Sequence, residues 1–123
     1  MVGASANRER PSFGVMKHLL QAGFRVVPVT PTAESVLGRR AYPALSDIPE
    51  RIDVVDVFRR ADETPAIAED AVKIGAKVLW LQLGIMSEEA AAIARAGGLA
   101  VVMDRCIGET VHRLGIRAST VER

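Results

Sequence analysis

Short apolar, β-branched segments alternate with helical patterns along most of this 123-residue chain. Four segments have the composition of strands, and they are residues 25–29, 52–58, 77–83 and 99–103. Between them, apolar residues recur at the three- and four-residue spacing of a helix that buries one face. Strands that are almost continuously apolar and alternate with helices are typical of a parallel sheet covered on both faces. The sequence therefore predicts a single α/β domain built on a parallel sheet.

Capping residues and glycines predict where the helices begin and end. The predicted start and stop signals are Ser12 and Gly23, Thr64–Pro65 and Gly75, and Ser87 and Gly97–Gly98. A last short helix would direct Ile107, Val111 and Leu114 toward the core. Residues 33–50 break the alternation with glycine and proline, and they predict an irregular crossover containing one short helical turn.

Composition excludes several classes of function. The net charge is +1, and the few aromatic residues do not alternate with basic ones, so nucleic acid is not an expected partner. A single cysteine and two distant histidines give no metal-ligand spacing. No apolar run is long enough to span a membrane, and the N-terminus lacks a secretion signal. These features indicate a cytoplasmic protein without a metal centre.

A glycine-containing loop near the N-terminus, residues 3–14, leads directly into the first predicted helix. Unpaired amides at the start of a helix, together with the helix dipole, form a site for phosphate. Arg8 and Arg10 add full positive charges to the same loop. The alternative is a glycine turn needed for packing alone. Only Met1 and Val2 precede Gly3, so we expect the first strand to be short or truncated.

Ligands of open parallel sheets bind beyond the carboxyl ends of the strands, where polar and basic residues of this chain are concentrated. The second strand ends at Thr30, with no carboxylate to bind the ribose diol of NAD. That position leaves room for a phosphorylated ribose, whose phosphate Arg39 or Arg40 could contact. The alternative is that both arginines are solvated loop charges.

Two further strand ends carry groups with either a binding or a structural role. Phe58 and Arg59 could form an adenine wall and a phosphate contact, or a core aromatic and a surface charge. Cys106, at the start of the last helix, could be reactive, although a small buried cysteine is the favoured interpretation. Asp56 is interpreted as a hydrogen-bonded structural residue and Trp80 as core. No catalytic motif is present, so the sequence favours binding a nucleotide over transforming it.

Taken together, several motifs resemble the small CoA-binding protein family, whose fold is similar to the nucleotide domain of the succinyl-CoA synthetase α subunit. The matching stretches are residues 2–5, 10–16, 27–31, 37–39, 53–60, 75–77, 80–84 and 102–106. The resemblance implies a Rossmann-like three-layer fold with a five-stranded parallel sheet over residues 1–123. Thr30 stands where the family usually has Asn, and neither histidine matches the synthetase's phosphohistidine loop.

The resemblance also implies non-catalytic binding of CoA or acyl-CoA through its ADP moiety. The predicted cofactor-binding residues are Gly3, Ala4, Ser5, Arg10, Ser12, Phe13, Gly14, Pro28, Val29, Thr30, Pro31, Arg39, Phe58, Arg59, Gln82, Gly84, Asp104 and Cys106. The alternatives are an NADP-binding module, an enzyme or redox protein acting on the CoA thiol or acyl group through Cys106, and a scaffold subunit. A homodimer or a partner subunit is compatible with the sequence.

Overall fold

A computed structural model describes residues 1–115 as a parallel sheet combined with four helices and a short hairpin. The helices are α1 (Pro11–Gln21), α2 (Thr64–Lys73), α3 (Glu88–Ala96) and α4 (Ile107–Leu114). The strands are β1 (Ser35–Val36), β2 (Arg39–Arg40), β3 (Val54–Val57), β4 (Val78–Leu81) and β5 (Ala100–Val102). Short 3-10 turns cover Leu45–Asp47 and Ala61–Glu63.

The parallel sheet has three strands in the order β3-β4-β5. Val54 is opposite Val78 in the first pair, and Val78 is opposite Ala100 in the second. Beyond β3, isolated parallel bridges join Val57 to Val2, Val2 to Val29, and Val29 to Tyr42. Three of the predicted strands are therefore confirmed, and single bridges replace the two additional strands of the predicted five-stranded sheet.

The prediction of a strand over residues 25–29 is wrong, and its pairing explains why. The segment hydrogen-bonds to Met1 and Gly3, through Val29 N to Met1 O at 2.9 Å and Gly3 N to Val29 O at 3.0 Å. After Gly3 the chain turns with a φ of 84° and leaves the sheet. A ladder requires paired residues along its length. Because the neighbouring segment ends at Gly3, it forms only the bridge between Val2 and Val29 on this side.

The helix boundaries largely agree with the sequence signals. Ser87 caps α3 by accepting a hydrogen bond from the Ala90 amide at 3.1 Å, and Gly97 follows its last residue. The cap predicted at Ser12 is wrong, since Arg10 is the N-cap of α1 and Ser12 is buried inside the helix. Leu114 is also not directed inward, because it is 62% exposed at the end of α4. Within residues 1–115, no helix has both the length and the apolar character needed to cross a membrane.

Two hydrophobic clusters form the core. The larger packs α2 and α3 against β3 and β4, and the smaller joins α1 to α4. The adjacent residues Met1 and Val2 belong to different clusters, because successive side chains of an extended segment point to opposite faces. The sheet therefore lies between two pairs of helices. This layering leaves the carboxyl ends of the strands at one open edge.

Candidate functional site

A cleft of about 1150 Å³ opens at the carboxyl ends of the parallel segments. This is the edge at which open α/β sheets bind ligands, and the volume suits a molecule of nucleotide size. Most of the residues predicted from the sequence line the cleft. They are Gly3, Ala4, Ser5, Arg10, Ser12, Val29, Thr30, Pro31, Phe58, Arg59, Gln82 and Cys106.

Gly3 forms the floor of the cleft, where the chain leaves the sheet. Its φ is 84°, and a Cβ atom at this position would lie 2.3 Å from the carbonyl oxygen of Phe58. Both the positive φ and the close approach require glycine. The turn at Gly3 is therefore packed closely against Phe58, and residues 3–5 line the cleft.

The start of α1 contributes positive electrostatic potential to the cleft. Arg10 is the N-cap, Pro11 is in the first turn, and within residues 1–115 no side chain caps the helix or places an acid in that turn. The preceding loop is ordered by its own polar groups, since Asn7 N donates to Ser5 Oγ at 3.0 Å and Glu9 N donates to Asn7 Oδ1 at 2.9 Å. Arg10, Pro11 and Ser12 line the cleft, so the N-terminal end of α1 and a basic residue lie at the same place, an arrangement that attracts anions.

The opposite wall carries two more arginines and the acid Glu63, and Asp70 of α2 also lines the cleft. Arg59 Nη2 is 2.5 Å from Glu63 Oε1, and Arg60 Nε is 3.7 Å from Glu63 Oε2. All three residues line the cleft. The hydrogen bond from Arg59, followed by weaker contributions from its charge and from Arg60, lowers the pKa of the Glu63 carboxyl below its usual value.

Gln82 connects the cleft to a buried acid. Its Nε2 donates a short hydrogen bond to Asp56 Oδ1, and its Oε1 accepts from the Ile107 amide at 3.3 Å. Burial raises the pKa of Asp56 to about 7, although the N-terminal ammonium group and the Gln82 amide act in the opposite direction. The structural role expected for Asp56 is confirmed. Gln82 thereby ties β3 to the start of α4.

Cys106 is the N-cap residue of α4 and lines the cleft. The favoured prediction of a small buried cysteine is wrong, because the residue is half-buried. Trp80 is likewise half-buried, and its indole N–H donates to the Arg105 carbonyl at 2.7 Å. That bond holds the segment before Cys106 against β4. A thiol at this position is accessible from the cleft.

The remaining predicted residues lie outside the cleft lining. They are Phe13, Gly14, Pro28, Arg39, Gly84 and Asp104. Phe13 packs on the smaller core cluster, Pro28 is fully buried, and Gly14 is exposed on α1. Asp104 has a φ of 56°, and its Oδ1 accepts a hydrogen bond from the Gly84 amide at 2.7 Å. The Asp104 carboxylate therefore braces the loops after β4 and β5.

Arg39 and Arg40 lie at a different place from the one expected. The hairpin turns at Leu37 and Gly38, which have φ values of 50° and 76°, and returns both arginines alongside β1. They line a separate cleft of about 430 Å³ beside residues 23–27, at the opposite end of the segment that reaches Val29. The Arg40 guanidinium lies over the Tyr42 ring, 5.1 Å from its centroid.

Part of the cleft was missed from the sequence. A wall of small and apolar side chains comes from the turn before the first 3-10 helix, from α2 and from the loop after β4. Its members include Pro43, Ala44, Leu45, Ala66, Ile67, Leu83 and Ile85. The one usable signal was Leu83, a large apolar residue directly after a strand, which is 68% exposed. The cleft thus has a cationic part and an apolar part. No group of three metal-ligating side chains occurs in the described region.

The family model described as CoA binding domain matches residues 1–111. The chain is 39% identical over 107 residues to the uncharacterized protein YneT of Bacillus subtilis (strain 168), covering 87% of this chain and 79% of YneT. It is 28% identical over 119 residues to acetate–CoA ligase [ADP-forming] II of Archaeoglobus fulgidus, covering 95% of this chain but 17% of that ligase.

The fold is also similar to that of solved structures. A hypothetical protein from Pyrococcus horikoshii OT3 superimposes with a TM-score of 0.90 at 44% identity, and the match covers 94% of this chain and 81% of that protein. Such agreement supports the Rossmann-like arrangement of the sheet and helices. Since the family model extends over residues 1–111, the chain belongs to the CoA binding domain family.

Proposed function

We propose that this protein binds coenzyme A, or an acyl-CoA, through its ADP moiety and without catalysing a reaction. The observation that carries the proposal is the meeting of three anion-attracting features in one cleft of about 1150 Å³: the Gly3–Ser5 turn, the start of α1 and Arg59. Membership of the CoA binding domain family and similarity to an acetate–CoA ligase support CoA among phosphorylated ligands.

In this proposal the diphosphate lies over Gly3–Ser5 and the first turn of α1. Thr30 and Pro31 border the ribose and adenine, with Phe58 on the opposite wall. Thr30 is well placed for such a border because it is held in the wall, where its amide donates to the Tyr42 carbonyl at 2.9 Å. The 3′-phosphate is assigned to the arginines of the cleft, Arg10, Arg59 and Arg60, since Arg39 lines the other cleft.

Titration calorimetry with CoA, dephospho-CoA, NADP and NAD tests the proposed function. We expect CoA to bind with a dissociation constant of roughly micromolar magnitude, more tightly than the other three. The affinity should fall with added salt, because screening weakens the phosphate contacts. Equal heats for all four ligands, or no heat for any, would remove the assignment to CoA.

Arg10→Ala should weaken CoA binding by roughly tenfold, because it removes a charged contact from the cationic part of the cleft. Arg8→Ala is the matched control, since Arg8 is exposed on the same loop but outside the cleft lining. Both variants lose one positive charge, so a general electrostatic effect would weaken binding equally. Calorimetry showing equal losses would place the phosphates elsewhere.

The position of Cys106 favours a second candidate function, in which the protein acts on the CoA thiol or acyl group. The thiol is half-buried, at the N-cap of α4 and in the wall of the cleft. Cys106→Ser separates the two candidates. Unchanged CoA affinity together with unchanged behaviour in thiol-exchange and thioester assays would leave binding alone; loss of such an activity would favour the enzyme.

A further inference from the structure

The cleft contains a carboxylate whose charge opposes the ligand that we propose for it. Glu63 lines the cleft beside Arg59, and the two form an ion pair with 2.5 Å between Nη2 and Oε1. The Arg59 side chain is 45% exposed and that of Glu63 is 33% exposed, so both are accessible from the cleft. A phosphate group that approaches Arg59 therefore also approaches a like charge.

Glu63 also engages the neighbouring arginine. Its Oε2 accepts a hydrogen bond from the Arg60 amide at 3.3 Å and lies 3.7 Å from Arg60 Nε, while Asp62 is 3.4 Å from the same Nε. One carboxylate thus engages Arg59 at Nη2, where a phosphate could also bind, and it partly offsets the charge of Arg60. The arginines can serve a ligand fully once this pairing is broken.

From this arrangement we propose that Glu63 is an internal counter-ion that competes with the ligand phosphate for Arg59 and thereby sets the affinity of the cleft. The inference rests on the proposed function and adds a determinant of affinity to it. Glu63 makes its shorter contact with Arg59, so most of its effect should depend on that guanidinium. When the ligand binds, its phosphate replaces the Glu63 carboxylate as the partner of Arg59. The effect of Glu63 on CoA affinity is therefore coupled to Arg59, and a double-mutant cycle measures this coupling.

Glu63→Gln should tighten CoA binding by about two- to fivefold, the range expected from an exposed ion pair. Gln keeps an oxygen for the Arg60 amide and removes the negative charge. Glu69→Gln is the matched control, because Glu69 is exposed on α2 and lies outside the cleft lining. It should change the affinity less than twofold.

A double-mutant cycle with Arg59→Ala isolates the competition from general electrostatics. Arg59→Ala alone should weaken CoA binding, and adding Glu63→Gln to it should restore less than Glu63→Gln gains in the unmodified protein, because the contact of Glu63 with Arg60 remains but its partner Arg59 is gone. Weaker or unchanged binding by Glu63→Gln would overturn the proposal. An equal gain in Glu69→Gln, or a full gain in the Arg59→Ala background, would also overturn it.

Titration of the Glu63 carboxyl by NMR gives a readout that does not require CoA. Its pKa should be low in the unmodified protein and should rise toward the ordinary value in Arg59→Ala. Pyrophosphate, used as a simple anion, should also raise it in the unmodified protein. A Glu63 pKa that responds to neither change would refute the counter-ion role. If the Glu63 pKa responds to both changes while CoA fails to bind, the proposed function is wrong, but Glu63 is still the counter-ion of Arg59.

Discussion

Gly3→Ala is expected to destabilise the protein by about 3 kcal/mol or more. A positive φ costs a non-glycine residue ~1–2 kcal/mol, and overpacking adds a further ~1–3 kcal/mol. The new methyl group would lie 2.3 Å from the Phe58 carbonyl oxygen, which belongs to the backbone. Relief by movement is restricted, because Gly3 N is bonded to Val29 O at 3.0 Å and Phe58 N to Val2 O at 2.8 Å.

Gly98→Ala separates the close approach from the conformational cost. Gly98 has a φ of 89°, and a Cβ atom there would meet nothing within 4 Å. The free energy of unfolding of Gly98→Ala should therefore fall by ~1–2 kcal/mol, which is the conformational cost alone. Urea unfolding of both variants measures the difference. Equal losses would show that residues 3 and 58 can separate freely, and that the turn is not fixed by close packing.

The second large effect is a dependence of stability on pH that arises at Asp56. This carboxyl is buried in β3, and within residues 1–115 its Oδ2 has no hydrogen-bond partner. Its pKa rises from the ordinary 3.8 to about 7, chiefly because burial disfavours the charged form. The folded state therefore binds a proton that the unfolded state has released. The resulting stabilisation is complete below about pH 4 and is lost as the pH rises through 7.

Asp56→Asn should remove this dependence. Between pH 4 and pH 7 the free energy of unfolding of the unmodified protein should fall, relative to the variant, by on the order of 3 kcal/mol. The Asn carbonyl oxygen can still accept the hydrogen bond from Gln82. Burying the Asn N–H groups lowers the free energy of unfolding by the same amount at every pH, so it does not change the pH dependence. Chemical unfolding at several pH values measures the difference. Parallel stability curves for the two proteins would contradict the account.

The helices were predictable because their signals are local. Ser87 lies directly before an acidic first turn, Pro65 lies in the first turn of α2, and Gly75 has the positive φ that ends it. Such features depend on residues three or four apart, and the sequence shows them directly. The Ser12 cap failed for the same local reason, since Arg10–Pro11 begins the helix two residues earlier.

The sheet depended on pairing, which the sequence does not show. Residues 25–29 have strand composition, but their neighbour on one side contributes Met1 and Val2 before the turn at Gly3. Composition reports what a segment prefers, whereas a strand also needs a partner of matching length. The three strands β3, β4 and β5 have such partners, and all three were predicted within a few residues of their ends.

The candidate site was predictable where it consists of strand ends and glycines. Gly3–Ser5, Thr30 and Phe58–Arg59 meet in one cleft because parallel strands end at the same edge. The apolar wall from α2 and the placement of Arg39 were not predictable, since they depend on how a helix face and a hairpin pack in three dimensions. Glu63 was not predicted for the same reason, because its role depends on the ion pair that it forms with Arg59 in the folded chain.

NMR mapping of CoA onto the protein tests the central claim most directly. On addition of CoA, the largest amide shifts should occur at residues 3–5, at Arg10 and Ser12, and at residues 58–60, which line the cationic part of the cleft. Residues 23–27 and 39–42, around the smaller cleft, should change little and serve as the internal reference. Shifts concentrated at those reference residues, or no shifts at saturating CoA, would contradict the assignment of the large cleft as the CoA site.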